Sequence, residues 1–229
     1  MSKKEFMIAE YLEWDSNFFG VDVYKNKCKN LVKANEIQLK KGLTYLFCKE
    51  EIKLQEKSLY DVKITFAKSL TKKRLEIDSQ IISYPIDNKV SKELLNLTYQ
   101  SGQYSRFKID PKIPNDKFLE FYKLWILNSV NRSFSDEVFT YKIDGIDVGM
   151  ITLKKDKETC KIGLLAVDGG QRGKKIGSKL MFAAENWALD NDCKEILVET
   201  QEQNKIAVAF YKRMKYNIVQ KEYIYHLWR

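Results

Sequence analysis

The residues that point most directly to chemistry lie between Ile162 and Ala188, in the stretch IGLLAVDGGQRGKKIGSKLMFAAENWA. Ile162–Val167 is a near-continuous apolar run, which reads as a buried strand. Asp168, Gly169 and Gly170 break it, and Gln171–Lys175 forms a short basic turn. From Ile176 the period changes, and Ile176, Leu180, Ala183, Ala184, Trp187 and Ala188 share one helical face. A strand, a glycine-rich basic turn and a helix start can together hold a phosphate. The first N–H groups of a helix have no partner within it, and its dipole favours an anion there. The same pattern also fits an ordinary strand–turn–helix unit with solvated lysines. It has neither the dinucleotide-binding glycine spacing nor the GK[ST] of a nucleoside-triphosphate loop.

Other elements must position this stretch. Phe6–Glu13 reads as a first strand, and WDSNFFG as a compact turn anchored by Trp14, Phe18 and Phe19. Val21–Lys27 is a second strand, and Lys33–Lys41 a helix stopped by Gly42. Leu43–Lys49 and Asp61–Lys68 are further strands, the latter alternating through Val62, Ile64 and Phe66; Leu70–Ile77 and Ile81–Ile86 extend the same sheet. Residues 1–85 thus read as a small α/β domain, and 86–229 as a second one. In the latter, Val90–Gly102 is helical, and 104–114 is an irregular loop holding two of the three prolines. Asn115 or Asp116 then caps a helix with Phe118, Phe121, Tyr122, Trp125 and Ser129 on its buried face, a stripe that reads as core. Asp144-Gly145 is a strong hairpin signal between Val138–Ile143 and Ile146–Leu153, and Lys157–Val167 completes a meander. Glu195–Thr200 is a buried strand, Asn204–Met214 a helix, and Tyr216–Arg229 has strand composition. The order after Val138 is β-β-β-α-β-α-β.

Composition narrows the chemistry. With 229 residues, 44% hydrophobic and 13% aromatic, the chain can bury a sizeable core. No apolar run approaches the ~20 residues that cross a bilayer, and acidic residues interrupt the N-terminal apolar segment, so a signal peptide is not expected. Cys28, Cys48, Cys160 and Cys193 are far apart without CxxC spacing; reduced thiols in a cytoplasm fit best, and no metal is expected. The net charge of +9 suits nucleic acid or a phosphate-bearing small molecule, but the lysines are dispersed among glutamates, which argues against nucleic acid. With His226 the single histidine, a multi-histidine metal site is excluded and a histidine-based triad could use no residue but this one.

The turn from Arg172 to Gly177 resembles the acyl-CoA loop of the GNAT acetyltransferase superfamily, [QR]-x-x-G-x-[GA], with Lys175 where the middle glycine usually sits. Asn204, Ala207 and Tyr211 match a second pattern of that superfamily, N-x-x-A-x-x-x-Y, with Lys215-Tyr216 where Gly-Phe usually follows. The resemblance implies a GNAT fold of α/β (α+β) class: a mixed, mostly antiparallel sheet flanked by helices, here with a small N-terminal α/β domain. It implies acetyl-CoA as co-substrate, its pyrophosphate held by Arg172, Gly173, Lys174, Lys175, Ile176, Gly177 and Ser178. Backbone at Leu165, Ala166 and Val167 would meet the pantetheine and carbonyl, with Asn204 and Ala207 beside the thiol and Tyr211 as the acid that protonates the departing thiolate.

The segments YLEWDSNFFG, SGQYSRFKID, FLEFYKLWILNSVN and YHLWR are similar to the TDP-fucosamine (dTDP-4-amino-4,6-dideoxygalactose) acetyltransferase family of polysaccharide biosynthesis, and this likeness spans nearly the whole chain. It implies direct acetyl transfer to the amine of a nucleotide-linked amino-dideoxy sugar, a phosphate-bearing acceptor. Residues 1–85 would lie on the acceptor side. Ser105 and Arg106 would touch that substrate, although Arg106 equally fits a pairing with a surface carboxylate. The base that neutralises the amine is left open among Glu199, Asp168 through water, and His226. A GNAT enzyme acting on a protein amine or another small amine is the alternative; a non-catalytic acyl-CoA-binding or nucleic-acid-binding module is a further one. A homodimer is compatible with the sequence.

Overall fold

The computed structural model describes residues 9–28, 40–54, 58–71, 74–86 and 89–229, and the helix expected at 33–41 falls outside them apart from its last two residues. In chain order the elements are β1 (Glu10–Tyr11), α1 (Glu13–Phe19), β2 (Val23–Lys27), β3 (Leu43–Cys48), β4 (Leu59–Ser69), β5 (Ile81–Ser83), α2 (Lys92–Ser101), α3 (Arg106–Ile109) and α4 (Asn115–Val130). They continue with β6 (Glu137–Ile143), β7 (Ile146–Asp156), β8 (Thr159–Val167), α5 (Ile176–Asp190), β9 (Glu195–Gln201), α6 (Lys205–Arg213) and β10 (Asn217–Trp228). The strands form one sheet in the order β1-β2-β3-β10-β4-β9-β8-β7-β6-β5. Among the described residues only β2/β3 and β8/β9 pair in parallel. The α/β class with a mixed, mostly antiparallel sheet agrees with the sequence reading.

The sheet crosses residue 85 without a break. β10, from the end of the chain, pairs on one side with β3 and on the other with β4. β5 leaves its N-terminal neighbours and joins the opposite edge beside β6.

Each face of the sheet carries its own core. On one face α5 and α6 cover Phe66, Ile151, Leu153, Cys160, Ile162 and Ile196. On the other, α2, α3 and α4 cover Val23, Leu43, Tyr45, Met150, Leu164 and Ala166. Both cores follow from amphipathic helices burying an apolar stripe against a sheet. On α5 that stripe includes Ile176, Leu180, Ala183, Ala184 and Ala188, as the spacing predicts. The Asp144-Gly145 turn closes β6 onto β7 with φ of 50° and 79°, the double left-handed geometry of a tight hairpin.

Four expectations need correction. WDSNFFG is not a turn but most of helix α1. Gly20, at φ 70°, takes the left-handed cap and donates its N–H to Ser16 O at 2.9 Å. Leu70–Ile77 adds no strand among the described residues; Asn186 of α5 instead bonds both the N–H and the C=O of Leu75 and holds this segment to the helix. The loop from 104 to 114 contains the short helix α3, begun by Ser105. Neither Asn115 nor Asp116 caps α4, because Pro114 is its cap residue, a position where the missing N–H costs nothing.

A buried ionic group ties α5 to the sheet. Lys68 of β4 donates to both oxygens of Glu185 at 2.7 and 2.8 Å, and the Tyr216 hydroxyl adds a bond of 3.0 Å. Among the described residues no helix is long and apolar enough to cross a membrane.

Helices α2 and α4 meet at Gly102, where an added Cβ would lie 2.4 Å from the ring of buried Tyr122. That ring packs against Phe118, Phe121 and Trp125, so Gly102→Ala should cost ~1–3 kcal/mol through overpacking. In a chain of this size the thermal midpoint should fall by roughly 2–4 °C per kcal/mol. Calorimetry checks this, and an unchanged midpoint contradicts it.

Candidate active site

The site begins with a defect in β8. The pairing with β7 shifts register between Ile151 and Leu153, and Leu164 N–H donates to the Thr152 side chain at 2.9 Å. A side chain there would meet Thr152 Oγ1 at 2.8 Å, so position 163 is glycine. The extra residue changes which face the even positions occupy. Cys160 and Ile162 pack toward α5, whereas Leu164 and Ala166 pack toward α2 and α4. Leu165 and Val167 are thereby turned to the α5 face.

The strands also separate there. β8 and β9 pair from Thr159/Glu195 to Ile162/Val198 and no further. Beyond this point β9 stays with β4 and β8 with β7. From Gly163 onward β8 no longer pairs with β9; the Val167 carbonyl accepts from Arg172 Nε at 3.2 Å, and the other backbone groups turned to the gap make no ladder bond there and can take a ligand.

A cavity of about 520 Å³ opens beside this gap along Leu165, Ala166 and Val167 of β8 and runs to the start of α5. Leu165, Ala166, Val167, Arg172, Gly173, Lys175, Ile176, Gly177, Ser178, Asn204 and Ala207, all expected from the sequence, line it. Lys174 does not; its ammonium bonds Gln171 at 2.7 Å on the outer side of the turn. Gln100, Ser101, Tyr104, Gln171, Phe210 and Arg213 also line the cavity and were not foreseen. No carboxylate lines this wall, while Arg172, Lys175 and Arg213 do.

Helix α5 begins without a side-chain cap, so its first N–H groups stay open toward the cavity. Its cap residue Lys175 has φ 62°, not the ordinary helical dihedrals open to any residue. That is the left-handed region where glycine is free of strain. Asp168 accepts from Gly170 N–H at 3.0 Å and from Gln100 at 3.1 Å. Led by the Gln100 bond, these interactions hold its carboxyl below the usual range, so Asp168 stabilises the turn and is a poor base.

Tyr211 is buried among Phe66, Phe210 and Tyr216 on the α5 face, and does not line the cavity that its neighbour Phe210 lines. Burial raises its phenol pKa, so it stays protonated. Asn204 caps α6 by accepting from Ala207 N–H at 3.1 Å, which accounts for two of the three positions of its motif.

A second cavity, about 750 Å³, lies in the gap itself, lined by residues 161–165 of β8 and 197–201 of β9. Ser101, Leu165 and Asn204 line both cavities, so the two meet at these residues. Ser105 and Arg106 line the second cavity. The Arg106 guanidinium lies 4.3 Å from the Tyr45 ring centroid and 4.5 Å from that of Phe107, which fixes its direction. Trp14, Phe47, Phe121, Tyr122 and Trp125 supply aromatic walls, so Tyr122 and Trp125 serve both core and cavity. Lys63 and Lys161 add positive charge, and Asp15, Asp61 and Glu199 add carboxylates. Asp61, Lys63 and Thr65 escape a sequence reading because the polar face of β4 looks like a solvent face.

His226 lines neither cavity. It is 2% exposed, with Nδ1 2.6 Å from Asp110, and burial pushes its pKa down to about 4. It is a neutral packing residue rather than a base.

The profile of the acetyltransferase (GNAT) family matches residues 100–216. The spore coat polysaccharide biosynthesis protein SpsD of Bacillus subtilis (strain 168) is 28% identical over 136 residues, 59% of this chain; the match spans 46% of that protein, about half its length. A functionally unknown conserved protein from Staphylococcus epidermidis ATCC 12228 shares the fold with a TM-score of 0.61 at 14% identity, over 98% of this chain and 92% of its own. A GNAT-family protein from Novosphingobium aromaticivorans DSM 12444 does so with a TM-score of 0.53 at 9% identity, over 86% and 78%. These two likenesses concern the fold alone. The family match covers just over half of the chain, so the chain belongs to the acetyltransferase (GNAT) family.

Proposed function

We propose that the chain moves the acetyl group of acetyl-CoA directly to the amine of a nucleotide-linked amino-dideoxy sugar, as a step in making a cell-surface polysaccharide. The observation that carries this reading is a pair of cavities of different character meeting at one gap in the sheet. The first, cationic and open to the N-terminus of α5, suits the pyrophosphate of CoA. The second combines aromatic walls for a flat base and a sugar with Lys63, Arg106 and Lys161 for the acceptor's phosphates. Residues 1–85 contribute Trp14, Asp15, Phe47, Asp61, Lys63 and Thr65 to it, which supports an acceptor-side role for that part of the chain. The polysaccharide biosynthesis named for the Bacillus relative points the same way.

In the proposed reaction an N–H of the parted β8 strand stabilises the oxyanion, and the amine attacks without an acetyl-enzyme intermediate. Cys48, Cys160 and Cys193 are buried, and burial raises each thiol's pKa, which suits none of them to act as a nucleophile.

Three measurements test these assignments. Mass spectrometry of acetyl-CoA incubated with pooled nucleotide amino sugars should show one acetylated sugar nucleotide. Acetylation confined to peptide amines or free small amines would favour the alternative GNAT reading.

Gly177→Asp should abolish the rise in melting temperature that CoA gives wild type. An added Cβ there meets Phe210 at 3.4 Å, an ordinary contact, and an acidic residue in the first turn favours the helix, so the fold survives while the phosphate is repelled. A variant that keeps the wild-type shift refutes this placement of the pyrophosphate.

Tyr211→Phe should lower kcat about 10²–10⁴-fold, with the Michaelis constant for acetyl-CoA little changed, if its hydroxyl protonates the thiolate. Tyr104→Phe is the control, because Tyr104 lines the first cavity directly. A loss at Tyr104 and none at Tyr211 would move the acid to Tyr104.

A further inference from the structure

Asp61 is the most deeply buried carboxylate of the second cavity, at 5% exposure. Among the described residues its Oδ1 has no hydrogen-bond partner, an expensive condition for a buried acceptor unless a ligand supplies the missing proton. The residue lies on β4 next to β9. The carbonyl of Gln201, at the end of β9, accepts the N–H of Asn204, and Asn204 is one of the three residues where the cavities meet. Asp61 lines the acceptor cavity and not the CoA cavity.

The other carboxylates there are differently placed. Glu199 is 54% exposed at its side chain and engaged by Lys63 at 3.3 Å and the Thr65 hydroxyl at 3.4 Å. Asp15 is only partly buried, on α1.

We propose that Asp61 receives the proton of the acceptor's ammonium group and so creates the neutral amine that attacks the thioester. This rests on the reading of the second cavity as the acceptor site. The ammonium gives one proton to the carboxylate, and the nitrogen lone pair then forms the N–C bond. The tetrahedral intermediate collapses as the C–S bond breaks with its electron pair on sulfur. A second proton leaves the nitrogen and balances the one taken up by the thiolate; Asp61 returns its own to solvent.

The surroundings suit the task. Burial pushes the Asp61 carboxyl up to about 6, against the lowering influence of Arg106 from α3, of Gln201 from β9 and of Lys63 on its own strand; Glu199 of β9 adds to the rise. Tyr122 of α4 also lies within electrostatic reach. Asp61 is therefore ionised at neutral pH yet more basic than an ordinary aspartate. The sign for stability follows: with its folded pKa raised, the ionised group costs stability above about pH 6. Asp61→Asn should melt no lower than wild type at pH 8.

The test follows CoA release with the acetyl-accepting nucleotide sugar from about pH 5 to 9, a range spanning this group's titration. Wild-type kcat should fall as pH drops below about 6. Asp61→Asn should lower kcat at pH 8 by about 10²–10⁴-fold and lose the limb near pH 6. Asp61→Glu should retain a limb and part of the rate. Both should keep the melting shift with CoA, since Asp61 does not line the first cavity. An Asp61→Asn enzyme within a few-fold of wild-type kcat, with the limb intact, overturns the proposal. So does a rise confined to the acceptor's Michaelis constant, which would make Asp61 only a counter-ion. If wild type acetylates a different amine, the proposed substrate class fails, and that amine becomes the probe for Asp61. Wild type that turns over no amine would overturn both.

Discussion

The separation of β8 from β9 after Ile162 and Val198 is the feature on which the rest of the site depends. A continuous sheet would seal one face from the other with paired backbone and interdigitated side chains. Here the second cavity lies between the parted strands, lined by residues 161–165 and 197–201, and it meets the first, which runs along β8 to the start of α5, at Ser101, Leu165 and Asn204. The bulge at Gly163 and Thr152 serves the same end. It turns Leu165 and Val167 toward α5 while Leu164 anchors the opposite core. Lost ladder bonds are tolerable at this point because a ligand can replace them.

The second cavity is held by contacts between parts of the chain far apart in sequence. Asp110, from the loop after α3, receives the Trp228 indole N–H at 2.9 Å and faces His226 at 2.6 Å, both on the last strand. Trp14 and Phe18 of α1 pack on Phe121 of α4, and Phe19 stacks on Phe107. These residues belong to the segments that carried the sequence-level likeness to the sugar-nucleotide acetyltransferases. Insertion of β10 between β3 and β4 brings them together. Their convergence gives that likeness a physical basis: Trp14, Phe107 and Phe121 line the second cavity, while Asp110, His226 and Trp228 tie the elements behind them together.

Much of the fold was legible because its signals are local. The hairpin at Asp144-Gly145, the change of period at Ile176 and the strand–helix order after Val138 each depend on residues close in sequence. The misses share a non-local cause. Ile162–Val167 is apolar at nearly every position, so no alternation reveals that the strand changes face within it. Asp61, Lys63 and Thr65 alternate with Val62, Ile64 and Phe66, which reads as a half-exposed strand. Only the pairing of β4 with both β9 and β10 shows that its polar face looks into a cavity. Helix α1 was hidden by its brevity, since a seven-residue helix presents barely two turns of periodicity.

The two lysines standing where the superfamily patterns have glycine are instructive together. Lys175 and Lys215 both adopt left-handed backbone, with φ of 62° and 64°. Both lysines thus take a backbone geometry that glycine adopts freely, at a strain of roughly 1–2 kcal/mol for each non-glycine position. At Lys215 neighbouring bonds hold the conformation. Tyr216 N–H donates to Tyr211 O and Lys215 N–H to Lys212 O, both at 3.0 Å, which closes α6 in a Schellman cap. The cap also aims Tyr216 at Glu185, a hydrogen bond that phenylalanine could not make. At Lys175 the side chain brings a cation to the wall of the first cavity, where an anion would sit beside free helix N–H groups. In the proposed reading, the charge that Lys175 offers an anionic ligand would offset the strain of its backbone.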